Sequence, residues 1–519
     1  MLQAFVAPEV RAHFLEQASA LAVPLHTWSV AARAQVSLQR DPDVWQSWRA
    51  LAIGPAVGLE LQPGDSLILD FGEHLVGELC WQASAGCRLR LEPAEVIAEL
   101  GDSWDEFPAV FGDGSQPERR WSPHELNAEA GAGRQRHRHT LRYLRVTLLA
   151  SAAEVVRFDD WQVLACSTAP EAVLPPLPVM SPRDAAIDRI CQLTLRNCLQ
   201  DVSEDGPKRD RRLWLGDLRL QALLDAHTFE SHDLVRRCLY LHAGCTDESG
   251  LVPPCVFMYP EPHFRATPIP DYAALFGPTL ADYHRASGDD AAARELLPVA
   301  VRQCELLAAY LDTDGVWRDP GDLWLFIDWC NELNRETAEH ATLAYACGQV
   351  AELATRLGEV DMAQGLQRRR ADLITAALRH LRDDASGLFV SGPERQVSVA
   401  SQVWMILAGV VSPAEGAELL RQTLGQDGVV QPGCPYLEHH LLEALLICDQ
   451  AESARARLEL IWGGMLDHGA DTFWEVFDPS DPHRSPYHSH LFNSYCHAWS
   501  CTPAWFLRHP TYGPLLLER

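Results

Sequence analysis

Residues 167–184 read STAPEAVLPPLPVMSPRD, and the change of periodicity across this stretch decides the fold. Pro170, Pro175, Pro176, Pro178 and Pro182 remove backbone donors and exclude a regular ladder, so the segment reads as an extended connector. Upstream, over about 66–163, Cys87, Leu89 and Leu91 alternate with Arg88, Arg90 and Glu92, and the run containing Leu141 and Tyr143 behaves similarly. That is strand spacing. Turns at Phe71 and Gly72 and at Ala85 and Gly86 separate the runs, which predicts an antiparallel β-sandwich. Downstream, Ser181 supplies an N-cap, Pro182 the first helical position and Asp184 an acidic first turn. Over 340–358, Leu343, Cys347, Val350, Leu353 and Leu357 recur at helical spacing, and Gly358 can close the helix in the left-handed conformation. Comparable patterns cover 291–310, 362–381, 414–424 and 437–448. Many helices with little strand between them and no fixed-period repeat predict a closed helical toroid. The expected division is a sandwich over 1–170 and a helical domain over 182–519.

The 519 residues exceed what one hydrophobic core supports, so two domains are expected. With 47% apolar residues, no run long enough to span a bilayer and no leader pattern over residues 1–8, a cytoplasmic protein is expected. The fifteen cysteines are scattered without a paired motif, and Cys304, Cys347 and Cys448 sit in apolar helical contexts, as reduced core thiols do. A formal charge of −28 argues against nucleic acid and anionic membranes as partners and leaves a small neutral molecule as the favoured one.

Two stretches carry the chemistry. Residues 204–217, EDGPKRDRRLWLGD, bring Asp205, Asp210, Asp217, four basic groups and Trp214 into one segment that Gly206 and Pro207 turn into a loop. Residues 469–475, GADTFWE, set Glu475 directly after Phe473 and Trp474, where apolar neighbours oppose its ionisation. A salt-bridged surface loop and a buried ion pair are the plain alternatives. Two separated carboxylates in a Trp-rich helical domain also suit glycosidic cleavage, in which one acid protonates the leaving oxygen and one base activates water. Trp214, Trp324, Trp329, Trp474 and Trp499 could each pack on a sugar ring or in the core. His483, His488, His490 and His497 match no zinc spacing, and neither a nucleophilic serine elbow nor a phosphate loop is present. No metal and no cofactor is expected.

The loop from Asp205 to Asp217 resembles the signature of the α-L-rhamnosidases of glycoside hydrolase family 78. The resemblance implies sugar contacts for Asp205, Arg209, Trp214 and Asp217, with Asp210 as general acid in a position where the family pattern has Glu. Glu475, in Thr472–Glu475, is similar to the family's general base, and His497, in Asn493–His497, to a sugar-facing histidine. Asp328 with Trp329, Asp271 with Tyr272, and Trp474 are carried over as substrate contacts. Residues 69–78 and 141–146 resemble the preceding sandwich. The implied fold is a β-sandwich followed by an (α/α)6 six-hairpin barrel, and the implied activity is inverting release of terminal α-L-rhamnose. An inverting glycosidase for another sugar, or a carbohydrate-binding protein without activity, are the alternatives. Compact members of the family imply a homodimer. Because Lys208, Arg209, Arg211 and Arg212 would depress Asp210 if they faced it, Arg211 and Arg212 are expected to point away, leaving burial to hold its proton.

Overall fold

The computed structural model describes residues 7–111, 115, 121–264, 267–321 and 323–517; residues 1–6, most of the stretch read for a leader, lie outside them. Helix α1 (Pro8–Ala20) comes first. Nine strands follow: β1 (His26–Ala31), β2 (Ala34–Arg40), β3 (Trp48–Gly54), β4 (Leu59–Leu61), β5 (Ser66–Ala83), β6 (Cys87–Ala94), β7 (His124–Ala128), β8 (Gly131–Ser151) and β9 (Val156–Ser167), with the short helix α2 (Ala98–Gly101) after β6. All their pairings are antiparallel, along the order β1-β9-β5-β8-β6-β7 with β2, β3 and β4 attached at the side.

The alternation read in the sequence becomes a face of the sheet. Leu89 and Leu91 are buried while Arg88 and Arg90 face solvent, where both guanidinium groups hold Glu125 of β7. Strand β5 pairs with β2 through Ile68–Asp70 and with β9 through Gly77–Ala83, and its register against β8 slips between Asp70 and Leu75. Such an irregularity lets one long strand serve two groups of partners. Phe71, Leu79, Trp81, Phe158 and Trp161 fill the core this creates.

After the proline connector the structure is helical: α3 (Pro182–Cys198), α4 (Leu215–Asp225), α5 (His232–Gly244), α6 (Pro270–Ser287), α7 (Asp290–Leu307), α8 (Glu336–Arg356), α9 (Val360–Ala376), α10 (Val399–Leu407), α11 (Pro413–Thr423), α12 (Pro435–Ile447) and α13 (Ala451–Leu458). Ser181 and Asp184 form a capping box at the start of α3, and Gly358 has φ of 78° after α8. Helices α4, α6, α8, α10 and α12 touch in succession, and the turn at Ala498–Cys501 lies between α12 and α4 and closes the ring. Their burial runs almost all round: every residue of α10 except Leu407 is buried. Helices α7, α9, α11 and α13 pack outside as hairpin partners, and α9 buries only Ala363, Leu366, Leu373 and Ala376. That contrast is what an inner and an outer ring require. Helix α1, although it precedes the sheet, packs on α5 of the helical half.

Candidate active site

The site is built where the 204–217 loop meets the 473–497 segment. Gly206 is the point of closest approach, since a Cβ there would lie 2.5 Å from Ser494 Oγ and 3.2 Å from His497 Nδ1. Backbone bonds from Ala498 to the Asp205 carbonyl (2.7 Å) and from His497 to the Phe473 carbonyl (2.9 Å) tie the strands of this junction together. The loop is also anchored to the sheet half. Lys208, buried, donates to Glu99 Oε1 (2.5 Å) and to the Asn493 carbonyl and lies 3.4 Å from Glu95 Oε2.

Arg209 organises the carboxylates. Its Nη2 donates to both oxygens of Glu475 (2.8 and 2.7 Å) and to the Tyr487 hydroxyl (2.8 Å), while its Nη1 lies 3.0 Å from Asp210 Oδ1. Glu475 further accepts from the Tyr487 hydroxyl (2.7 Å) and the Ser494 amide (3.0 Å). Burial alone would raise the Glu475 carboxyl, but the Arg209 charge, His497 and these donors hold it below its ordinary value. It is therefore an anion in the resting protein.

Asp205, Asp210 and Asp217 differ from one another. Burial, followed by the neighbouring charges of Asp210 and Asp217, pushes Asp205 well above the usual carboxylate range. Burial acts on Asp210 too, but Arg209, Arg212 and hydrogen bonding with Asp205 bring it below its ordinary value. The two directions are opposite, so a proton shared by this pair is favoured on Asp205 over Asp210. This corrects the expectation that burial keeps Asp210 protonated: the neighbouring Arg209 outweighs it. Neither of the two other arginines hydrogen-bonds Asp210, but the charge of Arg212 still lowers it, so only Arg211 meets the expectation of pointing away. Arg211 donates to the Pro207 and Arg138 carbonyls (2.7 and 2.8 Å), and the Arg212 guanidinium lies over the Phe257 ring at 4.4 Å.

Asp217, in the first turn of α4, is raised by burial against the contact with His497, whose Nε2 lies 3.3 Å from its Oδ1. Neither that oxygen nor either His497 ring nitrogen completes an aligned hydrogen bond. Buried polar atoms without a partner are uncommon in folded proteins. Around them stand Trp214, Trp324 and Trp329, all partly exposed, with Trp214 and Trp324 edge to face at 6.5 Å and Trp324 and Trp329 at 6.3 Å.

Other predicted contacts lie elsewhere or are already engaged. The Asp271 carboxylate accepts from the Phe326 and Ile327 amides (3.0 Å each), and burial pushes it up to about 6. Asp328 accepts from the Gly433 amide (2.6 Å) and the Cys434 thiol (2.9 Å), and burial brings it also to about 6. Both shape the loop that presents Trp324 and Trp329. Trp474 is buried against Trp45, Phe477 and Tyr495, on the side facing the sheet half. Trp499 donates to the Glu475 carbonyl (3.0 Å) and sits 4.2 Å from the His497 ring. His483 and His490 gather at Asp102, away from His497. Tyr487, which bonds both Glu475 and Arg209, was not singled out from sequence; an aromatic in a polar loop gives no spacing signal.

Comparison with known proteins bears on what such a site does. Residues 184–509 match the family model described as the bacterial alpha-L-rhamnosidase 6 hairpin glycosidase domain, and residues 32–165 the glycosyl hydrolase family 78 alpha-rhamnosidase N-terminal domain. Among curated protein sequences none matches. Among solved structures, a rhamnosidase from Klebsiella oxytoca with rhamnose bound is 40% identical, with a TM-score of 0.90, over 96% of this chain and 98% of that one. The family 78 rhamnosidase of Bacillus sp. GL1 (21% identity, TM-score 0.74) shares the fold over 89% of this chain and 49% of its own. The Streptomyces avermitilis α-L-rhamnosidase complexed with L-rhamnose (18%, 0.66) does so over 94% and 44%. This chain therefore spans about half the length of those last two proteins.

Proposed function

The chain belongs to the family 78 α-L-rhamnosidases and is a glycoside hydrolase, and from that premise we propose that it removes terminal α-L-rhamnose from small rhamnosides or oligosaccharides by inversion, with Asp210 as general acid and Glu475 as general base. The observation that carries the reading is the Arg209 fork, with one nitrogen on Asp210 and the other on Glu475. Inversion needs one carboxylate kept ionised to activate water and one carboxyl group that delivers a proton. Glu475, surrounded by donors, suits the first task. The Asp205 and Asp210 pair, with a single proton between them, suits the second, Asp205 acting as reservoir and Asp210 as the donor at the departing oxygen. A sugar bound beside Asp210 would displace the water that solvates its anion, and this desolvation moves the shared proton toward it.

Asp217 and His497, unsatisfied and adjacent, would take ring hydroxyls, and Trp214, Trp324 and Trp329 the apolar face and methyl group of a deoxysugar. The rhamnose bound in the Klebsiella relative supports a small sugar as ligand. We read 1–170 as the sheet domain and 182–519 as the catalytic barrel. All fifteen cysteines are free thiols, which supports residence in a reducing compartment such as the cytoplasm.

The experiment is proton NMR of the hydrolysis of an aryl α-L-rhamnoside followed from the first turnovers. β-L-rhamnose appearing first is the expected result. The α-anomer as first product would refute inversion, and release from a different aryl glycoside in its place would change the sugar.

A further inference from the structure

A second cluster, outside the rhamnose site, is formed by three histidines of the sheet half: His124 at the start of β7 and His137 and His139, two residues apart on β8. Their ring centroids are 4.8, 4.9 and 4.7 Å apart, and one ligating nitrogen from each lies within 4.8 Å of the others. Three imidazoles this close repel if protonated, and when neutral each carries a lone pair on one ring nitrogen. What they share is lone pairs.

The tautomers decide which nitrogens are free. His124 Nε2 is 2.8 Å from the Trp121 carbonyl oxygen, which can only accept, so the proton is on Nε2 and the Nδ1 lone pair is available. His139 Nε2 lies 3.0 Å from Gln135 Oε1 in the same relation, and its buried Nδ1 has no hydrogen-bond partner among the described residues. This is the arrangement of metal-binding histidines, in which the second ring nitrogen donates to an oxygen behind it and so fixes the ligand's orientation.

We propose that His124, His137 and His139 form a binding site for a divalent cation of the zinc class, held by three imidazole nitrogens with the fourth position left to water. The chemistry selects the ion. No carboxylate belongs to the cluster, and Arg211 and Arg138 are close by, so calcium and magnesium, which need oxygen ligands and negative charge, are disfavoured. Zinc, cobalt and nickel bind imidazole nitrogen through coordinate bonds, and the charge of Arg138 is paired with Glu204. Because Arg138 stands between His137 and His139 and grips Glu204, an ion here would stiffen the contact between β8 and the start of the 204–217 loop.

The test is isothermal titration of zinc chloride into the full chain after treatment with a chelator, with magnesium and calcium chloride as controls. One zinc per chain is expected, with neither control competing. Removing even the groups behind a ligand weakens binding about 10- to 100-fold, so His137→Gln, at a partly exposed position, is expected to weaken zinc by at least that factor. His483→Gln, in the separate cluster of Asp102, His483 and His490, is expected to leave it unchanged. Anomalous scattering at the zinc edge from wild-type crystals reads the same site without any variant. No stoichiometric binding, or binding lost in His483→Gln and kept in His137→Gln, or an anomalous peak away from the three imidazoles, would overturn the proposal.

Discussion

Replacing Arg209 by Met probes the junction on which both carboxylates depend. In the native protein this guanidinium, whose side chain is only 6% exposed, serves Glu475 through two contacts, Asp210 through one, and the Phe492 carbonyl through its Nε (2.9 Å). Met keeps much of the apolar stem and removes every donor. Breaking a buried ion pair from one side costs about 3 to 5 kcal/mol, because the remaining charge stays buried without its partner. Glu475 keeps only the Tyr487 hydroxyl and the Ser494 amide as donors, so its carboxyl rises from its depressed value. The sign follows directly: the acidic limb of kcat/KM, where the base becomes protonated, moves to higher pH. Arg209→Lys retains a point charge without the fork, and cannot serve both carboxylates at once; it is expected to fall between wild type and Met. Urea unfolding and pH profiles of kcat/KM on an aryl rhamnoside give both readings. A loss of stability below about 1 kcal/mol, typical of an exposed pair, together with an unmoved acidic limb would refute this account of Arg209.

Gly206→Ala should raise KM and lower stability by about 1 to 3 kcal/mol, because the added methyl meets Ser494 Oγ at 2.5 Å and the Cys496 carbonyl at 3.1 Å and pushes on His497; steady-state kinetics beside thermal unfolding check it. Lys208→Met should destabilise the chain by about 3 to 5 kcal/mol, measured by urea unfolding, since Glu95 and Glu99 would remain buried without their cation. Wild-type kcat/KM should be bell-shaped in pH. Glu475 is held low, so activity falls as pH drops through that depressed value; Asp205 is held high, so activity falls as pH rises through its raised value and the pair loses its proton. Asp205→Asn should therefore move the basic limb and leave the acidic limb in place.

The fold was largely legible because periodicity is a local property. The helix over 340–358 appears as Glu336–Arg356, and the cap at Ser181 forms as written. The 204–217 loop was legible for a different reason: its turn residues and unusual charge density are contiguous. Side-chain direction is not local. Nothing in the order of Phe473, Trp474 and Glu475 tells that the glutamate turns to Arg209 while the tryptophan turns to Trp45 of the sheet half. Asp271 and Asp328 look like Asp210 in sequence, yet their oxygens are taken by backbone amides whose positions depend on the folded loops. The opposite shifts of Asp205 and Asp210 were equally hidden, since they depend on a geometry that the four intervening positions do not specify. The histidine trio escaped notice because residues 124, 137 and 139 meet only after β7 and β8 fold together.

The most direct measurement of the central claim compares leaving groups in two variants whose fold has first been verified. If Asp210 gives its proton to the departing oxygen, Asp210→Asn slows alkyl and flavonoid rhamnosides far more than a nitrophenyl rhamnoside, whose phenolate departs with little help. Glu475→Gln slows both alike, because water must be activated whatever leaves. General acid or base catalysis is worth about a hundred- to ten-thousandfold, or roughly 3 to 5.5 kcal/mol, so the contrast lies far outside assay error. The account predicts a small loss on the nitrophenyl substrate and a large one on the alkyl substrate for Asp210→Asn; equal losses on both would contradict it and pass the role of acid to Asp205 or Asp217.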